Sequence, residues 1–273
     1  MRTFERTHPW ISFRIDLRRA TPQLWMLLGE AASKCEHIAG VPLRPSVAQG
    51  LHRLYLAKGA LATTAIEGNT LSAAETTLVI EQGITIGGKP LRDHLEAIDH
   101  YEAIRYVRDL ARRGTPLTES DLRGLHTLVV KRSNPDIAGR YADQGRYVLT
   151  GAGRHAFPSP AEVPALMGDF AAWLRGAPET PDTAFAAHLR LVAIHPFNDG
   201  NGRTARLLMN LLLLRAGYPP VAVRPADRSA YIGALQQAQA GGGSAAFDWL
   251  LWQRLDATLD EYIAAAAEAA VRG

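Results

Sequence analysis

The chain has 273 residues, of which 47% are hydrophobic and 21% charged, so it is neither disordered nor low-complexity and can form one large domain. The formal net charge is only +3 and the basic residues are dispersed, so nucleic acid is not an expected partner. One cysteine excludes an internal disulfide, and we see neither a signal-like start nor a membrane-length apolar run, which predicts a cytoplasmic protein without a membrane partner.

Helical patterns begin near the N-terminus. The apolar spacing predicts an amphipathic helix over 22–38, with Thr21 as its N-cap. A second helix is predicted over 46–67. We therefore expect an N-terminal helical segment at 1–45, followed by one domain at 46–273.

Further helices alternate with short loops along the rest of the chain. A capping box at Ser72–Glu75 predicts a short helix. The later helices are predicted at 93–113, 118–131, 161–176, 182–194, 202–215, 227–239 and 244–271. The stretch 134–160 differs because it is rich in glycine and proline and contains the alternating segment Arg146–Thr150, which predicts a β-hairpin. The expected fold class is mainly α with one small hairpin.

A phosphate-binding loop is predicted where Gly200, Asn201 and Gly202 directly precede a helix. Glycines let the backbone approach a ligand closely, and the free N–H groups and dipole of a helix start favour an anion. Arg203 and Arg206 are three residues apart and share one helix face. Two guanidinium groups beside such a loop predict a di- or triphosphate site.

Asp199 and His195, both N-terminal to this loop, have side chains that suit a reaction centre. Asp199 is consistent with a Mg²⁺ ligand, because Mg²⁺ commonly uses one or two carboxylates together with substrate phosphates. His195 can accept a proton near neutral pH. Taken singly, such a histidine is usually a core residue and such arginines usually face solvent. Their occurrence within twelve residues favours one site.

The segment 195–206 reads His-Pro-Phe-Asn-Asp-Gly-Asn-Gly-Arg-Thr-Ala-Arg and resembles the signature of the Fic family at every defined position. The resemblance extends over about 50–265. It implies the family's α-helical fold, with a target-positioning flap at about 140–158. It also implies an enzyme that transfers AMP from ATP to a Ser, Thr or Tyr hydroxyl of a target protein and releases pyrophosphate.

The resemblance assigns a role to each motif residue. His195 is implied to be the general base, and Asp199 to hold Mg²⁺, or Mn²⁺ in its place. The loop from Gly200 to Gly202 is implied to bind the anion, with Arg203 and Arg206 on the β- and γ-phosphates.

Residues outside the motif receive roles by the same resemblance. Val148 in the flap, Tyr231 and Gln239 are implied to contact the nucleotide, and the flap strands to align a segment of the target protein. Members of this branch often form homodimers, so a homodimer is also implied.

Thr63 and Glu67 lie four residues apart on one helix face, just before Gly68. Helix logic alone favours a surface glutamate near a frayed end. The segment nevertheless resembles the family's inhibitory motif, in the branch that carries it N-terminal to the core. That implies an ion pair between Glu67 and Arg206 that blocks the productive position of the γ-phosphate.

The sequence departs from the family pattern at three places. Ala142 stands where an arginine is common, Gly151–Gly153 lengthens the flap, and Gln239 stands where an asparagine is common. These departures concern target and nucleotide contacts more than the chemistry.

Two alternative functions remain open. The same site could remove AMP from a modified target, with Glu67 positioning the attacking water. The chain could also be a regulatory module that senses ATP without catalysis, although the intact His195 argues against this. The intact Gly202-Arg203 pair favours AMP transfer over phosphate transfer within the family.

Overall fold

The computed structural model describes residues 22–40, 59–150 and 153–271. Its α-helices span Pro22–Gly40 (α1), 59–66 (α2), Ala73–Gln82 (α3), Leu91–Arg113 (α4), Glu119–Val130 (α5), Val163–Gly176 (α6), Pro181–Ile194 (α7), Asn201–Arg215 (α8), Arg228–Gln237 (α9) and Ala245–Val271 (α10). The predicted helices within these residues are confirmed to within two residues at each end, and the fold is mainly α. The predicted cap Thr21, the helix portion 46–58 and the 45/46 domain boundary lie outside the described residues.

Two helices form the centre of the molecule. In α7 every residue except Asp182 is buried, and α8 is buried along most of its length. A helix that is apolar on nearly all sides must be surrounded by other elements. Helices α4 and α5 pack on α8, and α7 packs beside it, so the loop between α7 and α8 is held from several directions.

Local sequence signals explain where several helices start and stop. Ser72 and Thr118 each form a capping box, which satisfies free N–H groups at the starts of α3 and α5. Gly83 and Gly114 adopt left-handed conformations at the ends of α3 and α4. The predicted short helix after Ser72 is therefore confirmed together with its cap.

The structure changes the end of the predicted helix 227–239 by two residues. Helix α9 stops at Gln237, and a π-helical turn covers Ala238–Gly242. Gly241 lies at φ 84° inside this turn, a left-handed conformation that interrupts regular helix. Gln239 therefore lies in the turn and not in the helix.

The predicted hairpin is confirmed. Strand β1, Tyr147–Thr150, pairs antiparallel with β2, Gly153–Ala156, in a register that places Val148 opposite His155. The predicted lengthening of the flap involves Gly153 and residues 151–152. Residues 151–152 lie outside the described residues.

The N-terminal helix is attached to the C-terminal one. Lys34 on α1 forms ion pairs of 2.8 Å with both Asp256 and Asp260 on α10. Within the described ranges, no helix has the length and apolarity needed to cross a bilayer.

Candidate active site between helices α7 and α8

The loop between α7 and α8 is tightly constrained by glycine. Gly200 has φ 78° and forms the N-cap of α8. A Cβ atom there would lie 3.1 Å from Val130 Cγ1 and 3.3 Å from His126 Nε2, so a side chain would crowd α5. Glycine at this position brings the start of α8 against α5 and leaves its first N–H groups for an anion.

Asn201 closes the loop on itself. Its Oδ1 accepts a hydrogen bond of 2.9 Å from the Phe197 N–H, and its Nδ2 donates one of 2.8 Å to the Phe197 carbonyl. The side chain is buried at 3% exposure. Asn201 therefore supports the predicted anion loop through its side chain and has only its backbone N–H to offer a phosphate.

His126 fixes the loop from α5. The Gly139 N–H donates to its Nδ1 at 3.1 Å, so Nε2 carries the proton and donates to the Asp199 carbonyl at 3.0 Å. The ring also stacks on Phe197, with centroids 3.7 Å apart. This residue was not among the predicted site residues.

The tautomer of His195 suits a general base. It is the one non-glycine residue with positive φ, 50°, among those the structure describes. Its Nδ1 lies 3.3 Å from the Val192 carbonyl, so that nitrogen carries the proton and Nε2 keeps its lone pair. Phe157, which follows β2 of the flap, stacks on the imidazole at 3.8 Å.

Burial gives four histidines near this site a low pKa. Burial, together with a smaller effect from the charge of Arg146, lowers the pKa of His195 to about 4. The others, also lowered chiefly by burial, are His100 at about 3, His126 at about 4 and His188 at about 3. These four are called the site histidines below. At neutral pH they are uncharged, so the His195 imidazole is in the form that accepts a proton.

Asp199 is held beside the loop by cations. Its carboxylate accepts from the Gly200 N–H at 2.6 Å and lies 3.2 Å from Arg92 and 3.4 Å from Arg203. Its side chain is 41% exposed. In the part of the chain that the structure covers, no group of three or more His, Cys, Asp or Glu residues is arranged to hold a metal ion. One accessible carboxylate fits Mg²⁺ only when phosphates supply further ligands.

Arg203 is buried and held by a carboxylate from α4. The residue is 2% exposed, and its Nη1 lies 3.3 Å from Glu96 Oε1. Glu96, itself buried, also receives a hydrogen bond of 2.8 Å from Arg92. The guanidinium is therefore paired in charge with Glu96, while its Nε and Nη1 have no hydrogen-bond partner within the described residues.

Arg206 lies at the centre of a second network. Its Nη2 donates to Glu67 Oε1 at 2.5 Å and to the Thr63 carbonyl at 3.3 Å, and its Nη1 donates to the Tyr231 hydroxyl at 3.2 Å. That hydroxyl lies 2.8 Å from His188 Nε2. Burial raises the pKa of Glu67, but Arg206 outweighs burial and the net shift is downward, which keeps the carboxyl ionised. The predicted Glu67–Arg206 ion pair is present.

Gly202 makes room for this ion pair. A Cβ atom on Gly202 would lie 2.7 Å from Glu67 Oε1 and 3.2 Å from Arg206 Nη1. The second loop glycine is thus needed for the carboxylate as well as for the anion loop. Gly68, at φ 97°, ends the helix that presents Glu67.

Tyr231 and Gln239 occupy places that sequence reasoning did not foresee. Tyr231 is 1% exposed and lies beneath Arg206, so it supports the arginine and does not face an open nucleotide site. The direct contact of Tyr231 with the nucleotide stays a prediction. Gln239 is 7% exposed in the π-helical turn, and its nucleotide contact stays a prediction.

The flap covers the histidine side of the site. Val148 is half-buried, whereas Tyr147 and Leu149 are exposed at 51% and 75%. Arg146 donates to the Pro158 carbonyl at 2.5 Å across the base of the flap. Ala142, at the position of the missing arginine, is buried and donates its N–H to the Pro196 carbonyl at 2.9 Å.

These features define the class of protein. It is an α-helical domain with a loop at the start of a helix that suits an anion, two buried arginines, and a neutral histidine beside a β-hairpin. Residues 116–213 match the model of the Fic/DOC family. The chain belongs to that family, and the sequence resemblance is confirmed.

Similar proteins have the same fold and related sequences. The chain is 37% identical over 207 residues to the protein adenylyltransferase Fic of Nematostella vectensis, covering 74% of this chain and 47% of the relative. It is 36% identical over 208 residues to the protein of the same name in Aedes aegypti, covering 74% and 41%. The chain thus spans less than half the length of these curated relatives.

Two solved structures show the architecture. A Fic-1 fragment from C. elegans superposes with a TM-score of 0.78 at 29% identity, covering 89% of this chain and 72% of that one. A Fic domain containing signaling protein from Bacteroides thetaiotaomicron superposes with a TM-score of 0.79 at 28% identity, covering 89% and 97%.

Sequence reasoning missed Glu96 and His126, which hold Arg203 and the loop. A signal for Glu96 exists in the sequence. Asp93, Glu96 and His100 recur at helical spacing on α4 and are all buried, although the prediction treated that helix only as a structural element. Buried polar residues on one helix face indicate partners from another element.

Proposed function

We propose that the chain is a protein adenylyltransferase that transfers AMP from ATP to a hydroxyl group of a target protein. The observation that carries the proposal is a neutral histidine, His195, placed directly before an anion loop that is backed by two buried arginines. The names of the relatives from Nematostella vectensis and Aedes aegypti support the same reaction.

The proposed reaction uses the residues as they stand. His195 Nε2 takes the proton from the target hydroxyl while the hydroxyl oxygen attacks the α-phosphorus. The bond from the α-phosphorus to the α–β bridging oxygen breaks, and pyrophosphate leaves. Arg203 and the N–H groups at the start of α8 hold the departing phosphates and neutralise their charge.

Asp199 is proposed to hold the metal ion that accompanies ATP. Mg²⁺ bound there, or Mn²⁺, would neutralise phosphate charge and orient the chain of phosphates. A divalent ion could take over the place that Arg92 and Arg203 hold beside this carboxylate, at 3.2 and 3.4 Å.

Glu67 is proposed to restrain the reaction. Its carboxylate holds the Nη2 atom of Arg206 at 2.5 Å, the group that the γ-phosphate needs. Since a carboxylate and a phosphate compete for the same donors, ATP binds in a less productive position while Glu67 is in place. Thr63 and Gly68 fix the segment that presents Glu67, through a backbone carbonyl and a helix end.

The flap is proposed to bind the target protein. Strand β1 pairs with β2 on one side only among the described strands, so an extended target segment can pair with its other edge. Val148 and Gln239 are proposed nucleotide contacts. A homodimer and a cytoplasmic location complete the proposal.

One observation supports removal of AMP as a second candidate. The Glu67 side chain is 39% exposed although it is paired with Arg206, so water can reach the carboxylate. In that reaction Glu67 positions the water that attacks the AMP–protein bond.

The test is incubation of the purified protein with α-labelled ATP and, separately, with a target that is already labelled. We expect label to be incorporated into protein and to disappear in the His195→Ala variant. ATP binding without incorporation in wild type or in Glu67→Gly would overturn the proposal in favour of a sensing module. Release of AMP from the labelled target alone would favour removal.

A further inference from the structure

A cavity of about 410 Å³ is lined in part by Arg206 and Thr63. Helices α4, α8 and α10 and the segments around Leu61 and Val221 surround it. None of the loop residues from His195 to Arg203 is among its described lining residues, so Arg206 is the motif residue that it shares with the proposed nucleotide site.

The wall of the cavity is apolar. Ile104 and Val107 on α4 face it together with Leu207 and Leu214 on α8. A cavity of this size with such walls is typical of a small-molecule site, provided that a few polar groups converge on it.

Two buried polar residues line the same cavity. Arg206 is 3% exposed and His100 is 1% exposed. Arg206 Nε and His100 Nδ1 have no hydrogen-bond partner within the described residues, although both atoms are buried. Buried polar atoms nearly always have a partner, and the guanidinium Nε–H can only donate, so an acceptor beside Arg206 would satisfy it.

The charges around the cavity favour an anion. Its charged lining residues are four arginines and one glutamate: Arg108, Arg206, Arg224, Arg254 and Glu261. Asp227, which does not line the cavity, pairs with Arg224 and Arg254, and Glu67 pairs with Arg206. A ligand with one negative charge and an apolar body complements such a surface.

We propose that this cavity binds a small amphipathic carboxylate. Its acid group lies toward Arg206 and His100, and its aliphatic body lies along Ile104, Val107 and Leu207. Glu67 pairs with Arg206 Nη2, and Arg206 Nε has no partner within the described residues, so the acid group of the ligand does not have to displace Glu67.

Isothermal titration calorimetry of the full chain with butanoate, hexanoate and octanoate tests the site. We expect affinity to rise about fourfold per added methylene until the cavity is filled, since each buried methylene adds a constant increment. We expect octanamide, which has the same length but no charge, to bind about fivefold more weakly than octanoate. Affinity that is independent of chain length would show only an adventitious ion on surface arginines and would overturn the proposal.

A cavity-filling variant locates the binding. Ile104→Trp places a larger side chain in the cavity, and we expect octanoate affinity to fall at least about tenfold. Met26→Phe, at a residue that is 74% exposed on α1, is the matched control and is expected to keep wild-type affinity. If Ile104→Trp does not fold, the homologous series and octanamide on the wild-type chain still decide the matter. Since the readout is binding, failure here leaves the proposed adenylyl transfer untouched.

Discussion

Replacing Glu67 by glycine should release Arg206 and raise the rate of AMP transfer. The contact that is lost is one charge-assisted hydrogen bond of 2.5 Å between Glu67 Oε1 and Arg206 Nη2. Such a bond contributes about 1.5–3 kcal/mol when buried. The Glu67 side chain is 39% exposed, so screening by water reduces the contribution to about 1–2 kcal/mol.

That energy sets the expected size of the effect. A competitor that holds Arg206 by about 1–2 kcal/mol weakens productive ATP binding by about 5- to 30-fold. We therefore expect self-labelling by α-labelled ATP, measured at sub-saturating ATP, to rise by about that factor in Glu67→Gly. Glu67→Gln keeps a neutral acceptor and should show a smaller increase.

A matched control removes a charge elsewhere. Glu81 on α3 is exposed, and Glu81→Gln should leave the labelling rate at the wild-type level. The reasoning is refuted if Glu67→Gly is folded and binds ATP but labels no faster than wild type.

The remaining predictions concern the supports of the site. Glu96→Gln weakens the ion pair with Arg203 and should raise KM for ATP about fivefold with little change in kcat. The kinetics are measured in the Glu67→Gly background. A fall in kcat alone would contradict a positioning role for Glu96. Gly202→Ala should destabilise the wild-type protein more than it destabilises the Glu67→Gly variant, because the new Cβ meets the Glu67 carboxylate. Thermal unfolding of the wild type, the two single variants and the double variant should give a coupling free energy of about 1 kcal/mol, and additive effects would contradict the prediction. The site histidines have lower pKa values in the folded than in the unfolded chain, so the unfolded chain binds more protons between about pH 6.5 and 4. The free energy of unfolding must therefore fall as the pH falls through this range. Urea unfolding should show a loss of up to about 1 kcal/mol per histidine from pH 6.5 to 5.5, and a flat profile would refute their burial as neutral groups.

The helices and the phosphate loop were predictable because their signals are local. Apolar periodicity and capping boxes predict helix ends, and a glycine loop before a helix predicts an anion site. The pairing of Glu67 with Arg206 joins residues 139 positions apart, and only the family resemblance predicted it. Helix logic alone favoured an exposed glutamate there.

The supports of the site were less predictable because they depend on packing between distant elements. The position of Tyr231 under Arg206, at 1% exposure, depends on how α9 packs against α8. Glu96 reaches Arg203 from α4 across the helix packing, and nothing in its immediate sequence specifies that partner. The end of α9 differs from the predicted one by two residues, and a π-helical turn that contains the left-handed Gly241 follows it.

The central claim is that this site transfers AMP and that Glu67 restrains it. Intact-mass spectrometry of Glu67→Gly after incubation with ATP and Mg²⁺ tests it most directly. We predict a mass increase equal to one AMP group, reduced in wild type and absent when His195→Ala is added. A mass increase equal to one phosphate group would contradict the claim. So would an unchanged mass in a folded variant that binds ATP, if the proteins of a cell lysate incubated with that variant also gain no AMP.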